Sequence, residues 1–284
     1  MKFFRRHSFT ILCCLPLVFF LLFMTLLPII RVWILSFQVP LSTEFTFLNY
    51  ITLWHQKAFH EAFINTFIIA LGSVTLELGL GLFMALLLFH RPQISKLLKP
   101  FFLFPLAIPT VVVAVMMSYL FSSSGWLNRL LIDCHLIQNP ILWTDGGAKS
   151  LIMIILSDSW KVTPLVMLIL LGGLQSIDPE LYKAARIDGA GGLTIFKRIT
   201  FPLLLPFITT AIIIRGIDAF RIFALVLILM GENLRVIGTH AYLEYMDYQN
   251  IHLSAASSVV LFIIILLFII IYLKIVGKKG LVAF

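Results

Sequence analysis

Gln175-Ser-Ile-Asp-Pro-Glu-Leu-Tyr-Lys-Ala-Ala-Arg-Ile-Asp-Gly-Ala-Gly-Gly-Leu-Thr-Ile-Phe-Lys-Arg-Ile-Thr-Phe-Pro-Leu-Leu-Leu-Pro206 is a polar stretch set between two apolar runs. Asp178 can cap a helix whose first position is Pro179, where a missing N–H costs nothing, and Glu180 suits the positive end of its dipole. Leu181, Ala184, Ala185 and Asp188 repeat at helical spacing, and Gly189 supplies the positive-φ stop. The stretch predicts a short helix of about ten residues. It is too short and too polar to cross a bilayer, yet Leu181, Tyr182 and Ile187 give it apolar knobs on a small Ala-Ala surface. Such a helix, held beneath a membrane by two spans, is shaped to sit in a groove on another protein. The plainer reading is a helix lying at the headgroups, with Lys183, Arg186, Lys197 and Arg198 facing phosphates. A second short piece, Leu193 to Ile199, leads to Pro202, where the next span is expected to begin.

Working outward, the flanking runs belong to a chain of 284 residues that is 61% apolar and 12% charged, with mean hydropathy +1.05. Soluble domains average roughly 45–50% apolar and about 25% charged, so a soluble enzyme, a disordered chain and a nucleic-acid binder are all disfavoured. A spanning helix needs about 20 mostly apolar residues, because backbone groups in hydrocarbon must pair within their own segment. Six stretches qualify, at Thr10–Phe37, Ala62–Phe89, Phe101–Phe121, Ser150–Leu171, Phe201–Met230 and Leu253–Val276. The basic N-terminus before the first run is expected to open a retained signal anchor, since the run exceeds a signal-peptide core and lacks a small-x-small cleavage site.

For six spans, thirteen Lys and Arg fall on the N-terminal side, from Lys2, Arg5 and Arg6 through Arg91, Lys183 and Arg198 to Lys279; four fall opposite, Lys57, Arg129, Lys149 and Arg235. The positive-inside rule then puts both termini in the cytoplasm. Cys13, Cys14 and Cys134 suit neither a disulfide framework nor a metal site and are expected to be packing residues.

The 175–206 stretch resembles the Glu-Ala-Ala loop of binding-protein-dependent ABC importer permeases. Their pattern of Glu-Ala-Ala, three residues, Gly and then an Ile-x-Leu-Pro string is met by Lys183-Ala184-Ala185, Gly189 and Ile199-Thr200-Phe201-Pro202. Leu181-Tyr182, Ala184 to Ala190 and Phe196 resemble the carbohydrate class, and the likeness extends to Asn49-Tyr50, Asn65-Thr66, Asp158 to Pro164 and Asp218 to Phe223. The string in the fifth span is similar to trehalose and maltose permeases. Two residues depart: Lys183 stands where the motif has its acid, with Glu180 the nearby acid available, and Phe201 replaces the Leu before Pro. Ala224 and Gly231-Glu232-Asn233 depart as well.

The resemblance implies an all-α membrane protein of six transmembrane helices with the type I ABC importer permease fold. Residues 1–60 would hold the tail, first span and periplasmic stretch, and residues 61–284 a five-helix core with a coupling loop at about 173–200. The implied partners are a second homologous permease, two ATPase subunits that bind ATP and Mg, and an extracellular or periplasmic substrate-binding protein, with membrane lipid around the spans. No nucleic-acid partner is expected. Contact with the ATPase would fall to Glu180, Leu181, Tyr182, Lys183, Ala184, Ala185, Asp188 and Gly189. The protein would be a multi-pass subunit of the bacterial plasma or inner membrane, importing a disaccharide such as trehalose or maltose.

Charges inside spans need a reason, because each costs roughly 2.5–3.5 kcal/mol at the bilayer centre on insertion scales. Asp158 with Lys161, Arg215 with Asp218 and Asp218 with Arg221 have i, i+3 spacing and can pair along one helix. Alternatively Asp158, Trp160, Lys161, Arg215, Asp218, Phe220 and Arg221 line the path of a sugar, with charged donors for hydroxyls and aromatic faces for rings. Glu77, among Gly72, Gly79 and Gly81, is expected to bond across a helix interface. Arg31 can snorkel from the outer end of the first span. Pro105 and Pro109 should kink the third span.

No Gly-x-x-x-x-Gly-Lys-Ser/Thr loop is present, and the histidines lack metal-ligand spacing, so this chain is expected to be no enzyme and to hold no metal or cofactor of its own. Rival readings are an ion-coupled secondary transporter using the charged residues as a relay, a membrane scaffold or sensor subunit, and an ABC permease for glycerol-phosphate or a lipid-linked substrate.

Overall fold

A computed structural model describes residues 12–39 and 44–276, all of them helix or connecting loop. Lys2, Arg5, Arg6, Lys278 and Lys279, which weigh in the charge count, lie outside the described residues, as does the start of the first span. The helices are α1 (Leu12–Ser36), α2 (Leu48–His55), α3 (Lys57–His90), α4 (Pro92–Ala107), α5 (Thr110–Leu120) and α6 (Trp126–Asp133). They continue as α7 (Gly147–Ser176), α8 (Pro179–Ile187), α9 (Gly192–Phe220), α10 (Ala224–Met230), α11 (Ile237–Met246) and α12 (Ile251–Val276).

Among the described residues, five helices are individually long and apolar enough to cross a bilayer, and α4 with α5 form a pair bent by 97°. Packing decides whether that pair is a crossing. Ile69 of α3 shares a core with Val113, Ala114 and Met117 of α5 and Met153 and Ile154 of α7. Farther along α3, Leu88 shares a core with Leu170 and Leu174 of α7, against which Leu98, Phe102 and Leu103 of α4 pack. Helices α3 and α7 therefore run parallel, so the chain leaving His90 must return to the end where both begin before Gly147. The bent pair makes that journey, which gives six candidate crossings among the described residues. The break falls where expected, at Ile108 and Pro109, because Pro109 cannot donate to the helix and holds the residue before it extended.

The fifth span departs from the sequence reading at both ends. It begins at Gly192 rather than Phe201, so the separate piece at Leu193 to Ile199 is its first turns. A widened π-turn at Phe196–Thr200 lies just before Pro202 and makes room for a ring that would otherwise strike the preceding turn. It ends at Phe220 rather than Met230, and Ala224–Met230 is a separate buried helix. The apolar count merged the two because hydropathy is blind to the turn at Arg221 to Phe223.

Small residues set the central contact. A Cβ on Gly81 would stand 2.8 Å from Val166 Cγ1 and 3.1 Å from the Met167 backbone nitrogen, so α3 and α7 touch almost backbone to backbone there. Gly72 likewise meets Ile155, whereas Gly79 faces open space. Where α1 ends, Asn49 donates to the Ser36 and Gln38 carbonyls at 2.9 and 2.8 Å, and the Tyr50 hydroxyl donates to Ser36 Oγ. These bonds close the end of α1 on α2. None of the three cysteines packs inside the chain: Cys13 and Cys14 face outward from α1, and Cys134 is exposed after α6. Helix α1 lies on α12 with most of its surface open, which leaves its thiols uncovered.

Candidate functional site

Two groups of residues carry chemistry, one inside the bundle and one at the end where α3 stops and α9 starts. Inside, Arg215 of α9 meets Glu77 of α3 through Nε at 2.6 Å and Nη2 at 2.7 Å, and the same Nη2 donates to Asp158 of α7 at 3.0 Å. Asp218, one turn on, lies 3.9 Å from Nη1. The planar guanidinium thus bridges three helices with a forked grip on Glu77, the geometry in which arginine binds a carboxylate most strongly. Glu77 does bond across a helix interface, as its glycine-rich surroundings suggested. Its partner was not legible, because the two residues lie 138 positions apart.

The same-helix pairs expected around this network are mostly absent. Arg215 and Asp218 keep theirs, but among the described residues Asp158 has no ion pair with Lys161, nor Asp218 with Arg221. Asp158 turns to the buried Arg215 instead, since desolvated charges gain more from a short hydrogen-bonded contact than from one along a wet helix face. Lys161 donates to the Thr110 hydroxyl on the first turn of α5, stitching α7 to the break in the third span. Sequence reading missed Thr110; its place directly after Pro109, where a helix must restart, was the available signal.

Of the seven residues considered for a path, three lie within the packed interior, Asp158, Arg215 and Phe220. Arg215 is closed off by its carboxylates, and Phe220 is buried between Phe67, which it meets edge-on at 5.2 Å, and Phe268, tilted at 5.4 Å. Asp158 is largely covered. Trp160 is 38% exposed, the Asp218 side chain 52%, Arg221 is open and Lys161 partly so. Polar and charged groups left open on spans are costly against lipid, so this face needs water or a second protein against it.

At the other group, Asp178 caps α8, its carboxylate accepting from the Glu180 N–H at 2.8 Å with Pro179 in the first turn. Gly189 has φ +75°, which a side chain would strain, and the Ala190 N–H returns to the Ala185 carbonyl at 2.9 Å to close the helix end. The cap, the turn and the stop are where the spacing put them. Tyr182 ties the helix to the bundle: its ring packs on Phe89 of α3, and its hydroxyl meets Thr200 of α9 at 3.3 Å. Ala185 is half-buried beside it. The other face is free, with Glu180, Leu181, Ala184, Asp188 and Gly189 exposed and Ile187 86% exposed, while the exposed Lys183 stands at the edge beside Tyr182 and Arg186.

At the opposite end, Asn65 donates to the Arg235 carbonyl at 3.0 Å, and Thr66 accepts from the Ile237 N–H at 2.9 Å. Buried His240 packs against Phe59, and burial pulls its pKa down to about 4.

The family model for binding-protein-dependent transport system inner membrane components matches residues 77–279. The trehalose/maltose transport system permease protein MalF of Thermococcus litoralis is 32% identical over 288 residues, covering 96% of this chain and 95% of that protein. The trehalose transport system permease protein SugA of Mycobacterium tuberculosis is 31% identical, covering 97% and 90%. A chain of the bacterial alginate ABC transporter, crystallised with an alginate pentasaccharide-bound periplasmic protein, superposes with TM-score 0.88 at 21% identity, covering 99% of this chain and 98% of that one.

Proposed function

Since the chain belongs to the binding-protein-dependent transport system inner membrane component family and is a sugar ABC importer permease subunit, we propose that its cargo is a disaccharide of the trehalose or maltose kind and that α8 is the helix through which ATPase partners move it. The observation that carries the coupling reading is the two-sidedness of α8. One face is locked to α3 and α9 through Tyr182, and the other offers Leu181 and Ile187 to a groove on a partner. A push on the exposed face reaches two spans through rigid contacts, which suits a rocking transition.

In this reading the terminus-bearing end, rich in Lys and Arg, is cytoplasmic. Two ATPase subunits there bind ATP and Mg2+ and supply the energy, and a loaded binding protein delivers sugar to the opposite end. A second permease covers the face carrying Trp160, Lys161, Asp218 and Arg221, and the sugar passes between the two. Lys161 and Arg221 can donate to hydroxyls, and Trp160 can stack on a pyranose ring. Asp158, Arg215 and Phe220 act behind them, holding the helices in place. The buried guanidinium closes its charge on fixed carboxylates, which disfavours an ion relay.

The test is reconstitution with the two ATPases, the second permease and the binding protein, followed by ATP hydrolysis with and without trehalose or maltose. We expect loaded binding protein to stimulate hydrolysis, and Gly189→Pro, which cannot adopt φ +75°, to abolish that stimulation while the complex still assembles. Transport that continues without ATP, or stimulation that survives Gly189→Pro in an assembled complex, overturns the coupling reading. Stimulation by neither sugar overturns the substrate.

A further inference from the structure

Behind α8, where it folds back under the bundle, lies a cleft of about 580 Å³. Its floor is apolar, from Leu86 and Phe89 of α3 and Ile195 and Phe196 of α9, and His90, Lys183 and Arg186 stand around it. No carboxylate lines the cleft, and neither Lys183 nor Arg186 enters any ion pair found among the described residues. His90 uses Nδ1 on the Leu86 carbonyl at 2.9 Å, which leaves Nε2 for another partner. The cleft sits where α3 ends and α9 begins, at the margin of two spans. Two uncompensated cations above an apolar floor match a group that is anionic at its head and greasy behind it.

We propose that this cleft holds the headgroup of an anionic phospholipid. Lys183 and Arg186 grip the phosphate, His90 closes its edge, and the upper acyl chain lies along Leu86 and Phe89. Basic pockets between spans select anionic lipids in this manner, each cation being worth about fivefold near the surface. A lipid seated there touches both α8 and the spans that carry it. The inference rests on the membrane disposition of the helices, not on the sugar or the ATPase, so either of those can fail without touching it.

Delipidated full-length protein in detergent is titrated with dioctanoyl-phosphatidylglycerol, dioctanoyl-phosphatidylcholine and inorganic phosphate, and bound species are counted by native mass spectrometry. The expected result is a clear preference for phosphatidylglycerol, cut about thirtyfold by Lys183→Gln with Arg186→Gln. Lys197→Gln with Arg198→Gln, which removes two neighbouring cations outside the cleft lining, is expected to leave the affinity within a few-fold. Equal binding of both lipids by the wild-type protein overturns the proposal, and needs no variant to fold. Equal loss in the two double variants overturns it in favour of a diffuse charged surface. Displacement by inorganic phosphate at equal concentration shows that the ligand is the free anion and overturns the lipid. Expulsion of the lipid by stoichiometric ATPase subunits assigns the cleft to that partner instead.

Discussion

Arg215 is the residue on which the interior turns. With both Glu77 oxygens and Asp158 on one guanidinium, its removal leaves carboxylates buried without a counter-charge. Breaking one partner out of such a buried set costs about 3–5 kcal/mol. Arg215→Met is therefore expected to lower the melting temperature of the purified protein sharply, and Arg215→Met with Glu77→Gln and Asp158→Asn to recover much of the loss. No change in melting for the single variant would show the network to be idle. The sequence announced that these charges needed partners, since an ion in a span is expensive, but local spacing offered only i, i+3 neighbours. The short contacts of Arg215 come from two other spans, α3 and α7, and nothing within a single helix encodes which of them will meet.

Among elements, α3 and α7 form the spine, and their glycines differ in kind. Gly81→Ala would drive a methyl into Val166 and the Met167 backbone, and is expected to cost about 1–3 kcal/mol of stability. Gly79→Ala meets nothing within 4 Å and should be neutral or slightly stabilising through helix propensity. Thermal melts of the two variants check this, and equal losses would contradict the packing described. Helix α11 supplies a pH response. Burial holds His240 neutral, with its pKa near 4 against an ordinary 6.5. The unfolded chain thus binds a proton that the native state resists, and stability falls as pH drops from about 6.5 to 4, by up to about 3 kcal/mol from this group. Glu244 on the same helix is pushed up by burial, takes its proton more readily when folded, and offsets part of that fall. His240→Asn should flatten the acid limb of a melting-against-pH profile; an unchanged slope would remove His240 as its cause. Helix α8 shows the opposite balance of legibility. Its cap, proline and glycine act within a dozen residues, so spacing alone located it.

For the whole molecule, six crossings place Cys134 at the end opposite Leu12 and Ile275, where it is exposed. With Cys13 and Cys14 changed to Ser, a membrane-impermeant maleimide should label Cys134 in intact cells, if that end faces outward as proposed. Labelling only after the membrane is broken would invert the orientation. What the sequence by itself determined is whatever depends on length, polarity and local backbone chemistry. That covers six apolar runs, their charge asymmetry, the break at Pro109 and the capped helix after Asp178. Tertiary structure alone decided where the fifth span ends, that Arg215 joins α3 and α7 besides its own-helix neighbour Asp218, that Phe220 is core, and that Trp160 and Asp218 stay open. Local signals act over one or two turns of chain, whereas burial and ion pairing are settled by which distant surfaces the folded bundle brings within a few ångströms.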